Sequence, residues 1–135
     1  MNPVRPLAIV LTAAAASCGG VSNPVSSTSA PTLLVVQTQV FTPRCALPGC
    51  HAGAGAPFGM NLQSASTSAA NLIGVLSGEM PGLMRVAPGD SANSYLYWKV
   101  SGNPNIGGDP MPLTGGPLSN SERALIASWI DGGAN

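Results

Sequence analysis

Apolar residues at helical spacing mark four segments of the chain. In "TLLVVQTQVFTPRC", Leu33, Val36, Val40 and Phe41 fall near one helical face, and Pro43, which has no N–H to donate, ends the pattern just before Cys45. The β-branched residues of this stretch leave a strand as the alternative. "SASTSAANLIGVL" offers Ser64 or Ser66 as N-cap, places Ala69, Leu72 and Ile73 on one face and closes at Gly74. "GDSANSYLYWKVSG" opens with the capping candidates Asp90 and Ser91, pairs Tyr95 with Trp98 and Leu96 with Val100, and stops at Gly102. The clearest pattern comes last. "LSNSERALIASWIDGG" has Ser119 as N-cap with Glu122 three residues on, a capping box, then Leu125, Ile126, Trp129 and Ile130 on one face before Gly132.

Between these segments run two long Gly/Pro stretches, "HAGAGAPFGMNL" and "SGNPNIGGDPMPLTGGP". Structureless loops of that length inside a small domain are usually functional. Alternating strand patterns are nearly absent and no internal repeat is visible. The expectation is a small all-α domain of three to four short helices.

Composition changes this picture in one respect. Aromatic residues are 4% of the 135, and Gly (17) and Pro (13) make up 30 of them, about 22% against a usual value near 12%. A chain so short of large core side chains needs a staple or a bound group to complete its interior. Charge removes other possibilities: five basic and five acidic residues cancel and charged residues are 7% of the chain, so no field exists to recruit nucleic acid.

The N-terminus is read separately from the fold. "MNPVRPLAIVLTAAAASC" has one basic residue, an apolar run from Leu7 to Ala16 and a small-residue end, the layout of a secretory signal over residues 1–17. "AAASCGG" also resembles the lipobox of bacterial lipoproteins, which implies cleavage before Cys18 and lipidation of that cysteine. Gly19 after Cys18 slightly favours an outer-membrane destination in the sorting pattern of such proteins. Residues 18–32, rich in Ser, Gly and Pro and without charge, read as a flexible tether, leaving 33–135 as the folded domain.

The densest chemistry is "FTPRCALPGCHAGAG", residues 41–55, where Cys45 and Cys50 precede the chain's single histidine, His51. A disulfide between two such near cysteines removes little unfolded-state entropy, because the ring is small. Zinc commonly takes four Cys or His ligands as two separated pairs, and no second pair exists downstream. Covalent haem accounts for the order of residues. Two thiols add to the vinyl groups on one porphyrin edge, and the next residue lies under the ring where an imidazole can ligate iron, the logic of C-x-x-C-H. Here the spacing is C-x-x-x-x-C-H, and Pro48-Gly49 supplies a turn pair that can loop the two extra residues outward. A non-redox, disulfide-held binding or structural module stands as the alternative. With one imidazole in the chain, no residue set pairs a nucleophile with a base, so an electron carrier is expected rather than an enzyme.

At these residues the sequence resembles the small single-haem c-type cytochromes of exported bacterial proteins, lipoprotein forms included, over about residues 33–135. The apolar segment before Cys45 resembles that fold's first helix, "LSNSERALIASWIDGGAN" its last, and "GDPMPL" its distal loop. The resemblance implies a cytochrome c-like fold around one haem c, thioethers at Cys45 and Cys50, His51 as proximal iron ligand and Met111 as distal ligand. Met80, which also precedes a proline, is the rival to Met111, with Met60 and Met84 behind it. The resemblance further implies a redox partner protein of the cell envelope. Arg85 and Lys99 are candidates to pair with the haem propionates, and Phe58 and Trp129 to touch the ring.

Overall fold

The computed structural model describes residues 29–135; the expected signal at 1–17, Cys18 and the tether up to residue 28 lie outside the described residues. Among these residues there is no strand, and the domain is all-α, as the periodicity predicts. Isolated bridges, Ile73 with Val86, Leu76 with Met84 and Met84 with Ser94, are its only β-type contacts.

Helix α1 (Leu33–Val36) runs without a break into a π-helical segment (Gln37–Cys45). The sequence places a stop at Pro43, but the chain stays helical through it. Proline removes one N–H donor and crowds the preceding turn, and the wider π-type winding absorbs both effects, closing with Ala46 N–H donating to Phe41 O at 2.7 Å. The practical result is that Cys45 sits on the last turn of a helix rather than in the loop beyond it.

Helix α2 (Ala65–Leu72) starts at Ser64, whose hydroxyl accepts the Thr67 N–H while the Thr67 hydroxyl accepts the Ser64 N–H. Helix α3 (Tyr95–Ser101) begins later than Asp90 and Ser91 suggest. These residues have other partners: the Asp90 carboxylate accepts from the Asn93 backbone and amide, and Ser91 donates to the Asp131 carboxylate through its backbone N–H at 2.8 Å and its hydroxyl at 3.1 Å. A short Asx-type turn competes with the helix for those residues. Helix α4 (Asn120–Asp131) carries the expected capping box, with Glu122 N–H donating to the Ser119 hydroxyl at 3.2 Å and Ser119 N–H to the Glu122 carboxylate at 2.7 Å.

The first and last helices form the frame. Phe41 and Trp129 meet edge to face with centroids 6.1 Å apart, surrounded by buried Val36, Val40, Leu62, Leu72, Val86, Ile126 and Ile130. The two ends of the domain are tied together: Leu33 N–H donates to Asn135 O at 2.6 Å and the Trp129 indole N–H to the same oxygen at 3.1 Å. A Cβ at Gly132 would overlap Ala30, so this close approach requires glycine.

One polar side chain inside the frame had no signal in the hydropathy pattern. Gln37, 4% exposed, donates to Leu62 O at 2.8 Å and accepts from the Ser68 hydroxyl at 2.7 Å. It joins the π-helical segment to α2 and fixes the backbone that runs beside His51.

Candidate functional site

The four-residue spacer between the cysteines is a closed loop. Cys50 N–H donates to Leu47 O at 2.9 Å, making a turn with Pro48 and Gly49 at its exposed tip and Gly49 at φ 79°. His51 N–H then donates to Cys45 O at 3.2 Å. The extra residues are thus looped outward, and the histidine returns beside the first cysteine.

His51 is buried and held at its ring and its backbone. Its Nδ1 pairs with the Met60 carbonyl at 3.3 Å, and its own carbonyl accepts the Leu62 N–H at 2.8 Å. Burial pushes the imidazole pKa below its ordinary value of 6.5, the Met60 carbonyl opposes this, and the Lys99 and Arg85 charges add to it. The ring is therefore neutral at pH 7. With Nδ1–H given to a carbonyl, the neutral ring carries its free lone pair on Nε2, the tautomer a metal-ligating histidine needs.

Cys45 and Cys50 are free thiols. Burial pushes the Cys45 pKa up to about 12, with Arg44 opposing it, so the group is a neutral thiol in a largely apolar wall. Among the described residues no three His, Cys, Asp or Glu side chains converge as ligands for a metal ion.

These residues border an open, mostly apolar cleft with two lobes. The larger encloses about 750 Å³, counting space open to solvent at its mouth, between Cys45, His51, Met60, Leu62, Leu96, Val100 and Met111. The smaller, about 500 Å³, is lined by Cys50, Gly49, Arg44 and the Pro112–Thr114 stretch. Cys45, His51, Pro57 and Met111 belong to both.

Of the candidate methionines, Met111 and Met60 line the cleft, whereas Met80 and Met84 do not. Met80 sits in a surface turn, its N–H donating to the Ser77 hydroxyl at 3.2 Å. Met60 is on the segment whose carbonyl holds the His51 ring, while Met111 comes from the loop between α3 and α4. Trp129 is enclosed in the core and is not a wall residue; Phe58 is one, at the rim.

Phe58 is also the strained residue of the site. It holds φ 53°, ψ 23°, an unusual conformation for a bulky side chain. Its ring packs against Gly78, where a Cβ would come within 3.1 Å, and its carbonyl accepts from Arg85 at 2.8 Å. Arg85 donates as well to Asn71 O at 2.8 Å, so its guanidinium straps the rim loop to the end of α2. Lys99 and Glu79 form an ion pair of 3.0 Å in the larger lobe's wall, joined by the Tyr95 hydroxyl.

Arg44, next to Cys45, was not singled out by any sequence pattern. It donates to the carbonyls of Gly115, Gly116 and Pro117 at 3.0–3.3 Å and pairs with Glu122 at 3.6 Å. It thereby staples the end of the π-helical segment to the loop that follows Met111. Its partners are backbone carbonyls of a Gly/Pro segment, which no residue pattern advertises.

The chain matches no protein-family model, no curated protein and no solved structure.

Proposed function

We propose that this chain is a single-haem c-type cytochrome, an electron carrier of the bacterial cell envelope with a cytochrome c-like fold. One observation carries the reading: two adjoining apolar pockets share Cys45, His51 and a methionine from a distant loop, Met111, with Cys50 in the wall of one, and His51 Nδ1 is taken by a carbonyl while its Nε2 has no hydrogen bond among the described residues. A disulfide module needs neither the histidine nor the methionine.

The residues fit the group chemically. Cys45 and Cys50 would hold haem through thioethers, His51 would hold the iron through its Nε2 and Met111 through its sulfur. When bound, haem supplies one-electron cycling of iron between the ferrous and ferric forms. The Met111 thioether favours the ferrous form, and the apolar wall disfavours added charge, so both act to raise the reduction potential. His51 and Met111 would both be committed to holding the iron, which favours electron carriage over turnover of a substrate.

Arg85 is suited to steady a propionate: it lines the cleft, and its planar guanidinium has donors beyond the two bonds it makes to backbone. Phe58 and Leu113, 63% and 66% exposed, lie at the mouths of the two lobes. In a near-neutral protein they suit the small, weak apolar docking of redox partners better than charge steering does. The signal at 1–17 and lipidation of Cys18 complete the proposal, placing the carrier outside the cytoplasm on a lipid anchor. No helix among the described residues is long and apolar enough to cross a membrane.

The test is redox spectroscopy on protein matured in cells that attach c-type haem. A red protein with a single one-electron wave and a low-spin spectrum supports the reading. A colourless protein whose two thiols are joined supports the structural module instead.

A further inference from the structure

The loop that carries Met111 is gripped from the cleft wall by Lys99, and the importance of this grip rests on the reading of Met111 as an iron ligand. Lys99 lies in the last turn of α3 and is 6% exposed. Its backbone carbonyl accepts the Met111 N–H at 2.7 Å, and its ammonium donates to Gly107 O at 2.8 Å. The same residue therefore holds the loop at both ends of the Gly107–Met111 stretch.

The grip is itself braced. The Tyr95 hydroxyl accepts the Gly107 N–H at 2.9 Å and donates to Glu79 Oε2 at 2.8 Å, the oxygen that also pairs with Lys99 at 3.0 Å. Gly107 is thus fixed through both its N–H and its carbonyl. A buried ammonium is costly unless paired and hydrogen-bonded, and an apolar side chain would fill this position at lower cost. An apolar side chain, however, could not hydrogen-bond Gly107. A lysine near a helix C-terminus often just satisfies that helix's own last carbonyls, but here Nζ reaches past the helix to the loop. Two of its three donors are committed to Glu79 and Gly107, which suits a brace better than a receptor for haem propionate, the role the sequence allows it.

We propose that Lys99, braced by Glu79 and Tyr95, is the positioning residue for Met111: it sets where the thioether stands in the cleft and how readily the sulfur leaves the iron.

The experiment compares haem-loaded wild type, Lys99→Met, Lys99→Arg and Tyr95→Phe. It reads haem content by mass, the sulfur-to-iron charge-transfer band of the ferric form, and the affinity for added imidazole, which competes with Met111 for iron. Removing one hydrogen bond from a charged donor should tighten imidazole binding in Lys99→Met by about tenfold or more, with haem content unchanged and the band weakened. Lys99→Arg should recover part of this, and Tyr95→Phe should show a smaller change in the same direction. Ser64→Ala, which removes the cap of α2 and is not part of this loop, should lower the melting temperature without tightening imidazole binding. Imidazole affinity and band that stay at wild-type values in Lys99→Met and Tyr95→Phe overturn the proposal. If Lys99→Met does not accumulate, Tyr95→Phe decides alone. A wild type that carries no haem overturns the underlying reading and this proposal with it, an outcome distinct from a loaded protein indifferent to Lys99.

Discussion

His51 shows how far a short motif reaches and where it stops. Its position directly after Cys50 is a local pattern, and with the Pro48-Gly49 turn it was legible from the sequence, as was a methionine displayed in a Gly/Pro loop. What holds these groups was not legible. Gln37, Arg44 and Lys99 act on carbonyls of Leu62, Gly115 to Pro117 and Gly107, and a backbone acceptor has no residue type by which a pattern could find it. Gln37→Leu should leave Leu62 O and the Ser68 hydroxyl without a buried partner and cost about 1–3 kcal/mol in urea unfolding. A loss much below that range would mean water takes over the role. Met111→Ala should abolish the sulfur-to-iron charge-transfer band and lower the potential. A surviving band would move the ligand to Met60, the other methionine of the wall.

Among the elements, the capped helices were the readable ones, because a capping box is a spacing of side chains that sequence states directly. Ser64 and Ser119 both cap as their patterns imply. Asp90 and Ser91 misled because they bond to Asn93 and Asp131 instead, and Pro43 misled because a helix can widen around a proline instead of ending. Ser119→Ala should cost about 1 kcal/mol, the usual worth of such a cap. The same cap makes a pH prediction. The Ser119 backbone N–H, then its hydroxyl, hold the Glu122 carboxyl below its ordinary 4.5, with Arg44 assisting. A depressed folded-state pKa gives stability that is present above the unfolded value and lost as pH falls through the folded one. Thermal melting should therefore drop on acidification below about pH 4.5, and Glu122→Gln should flatten part of that drop.

At the scale of the whole molecule, a chain short of large side chains carries an apolar cleft. The frame of first and last helices is closed by Phe41 and Trp129, and an apolar cleft opens between Leu62, Leu96, Val100 and Met111. Composition led to the expectation of a group completing the core; it could not say where an apolar cleft would lie, because the wall is assembled from segments far apart in the chain. A Cys45→Ala, Cys50→Ala double variant, unable to retain haem covalently, should be markedly less stable and more exposed to protease than the wild type. Equal resistance would show that the cleft needs no occupant. The central claim is tested most directly by the intact mass of the purified, denatured protein matured alongside the haem-attachment machinery. The account predicts polypeptide plus one haem, retained through denaturation; a mass equal to the polypeptide alone would contradict it.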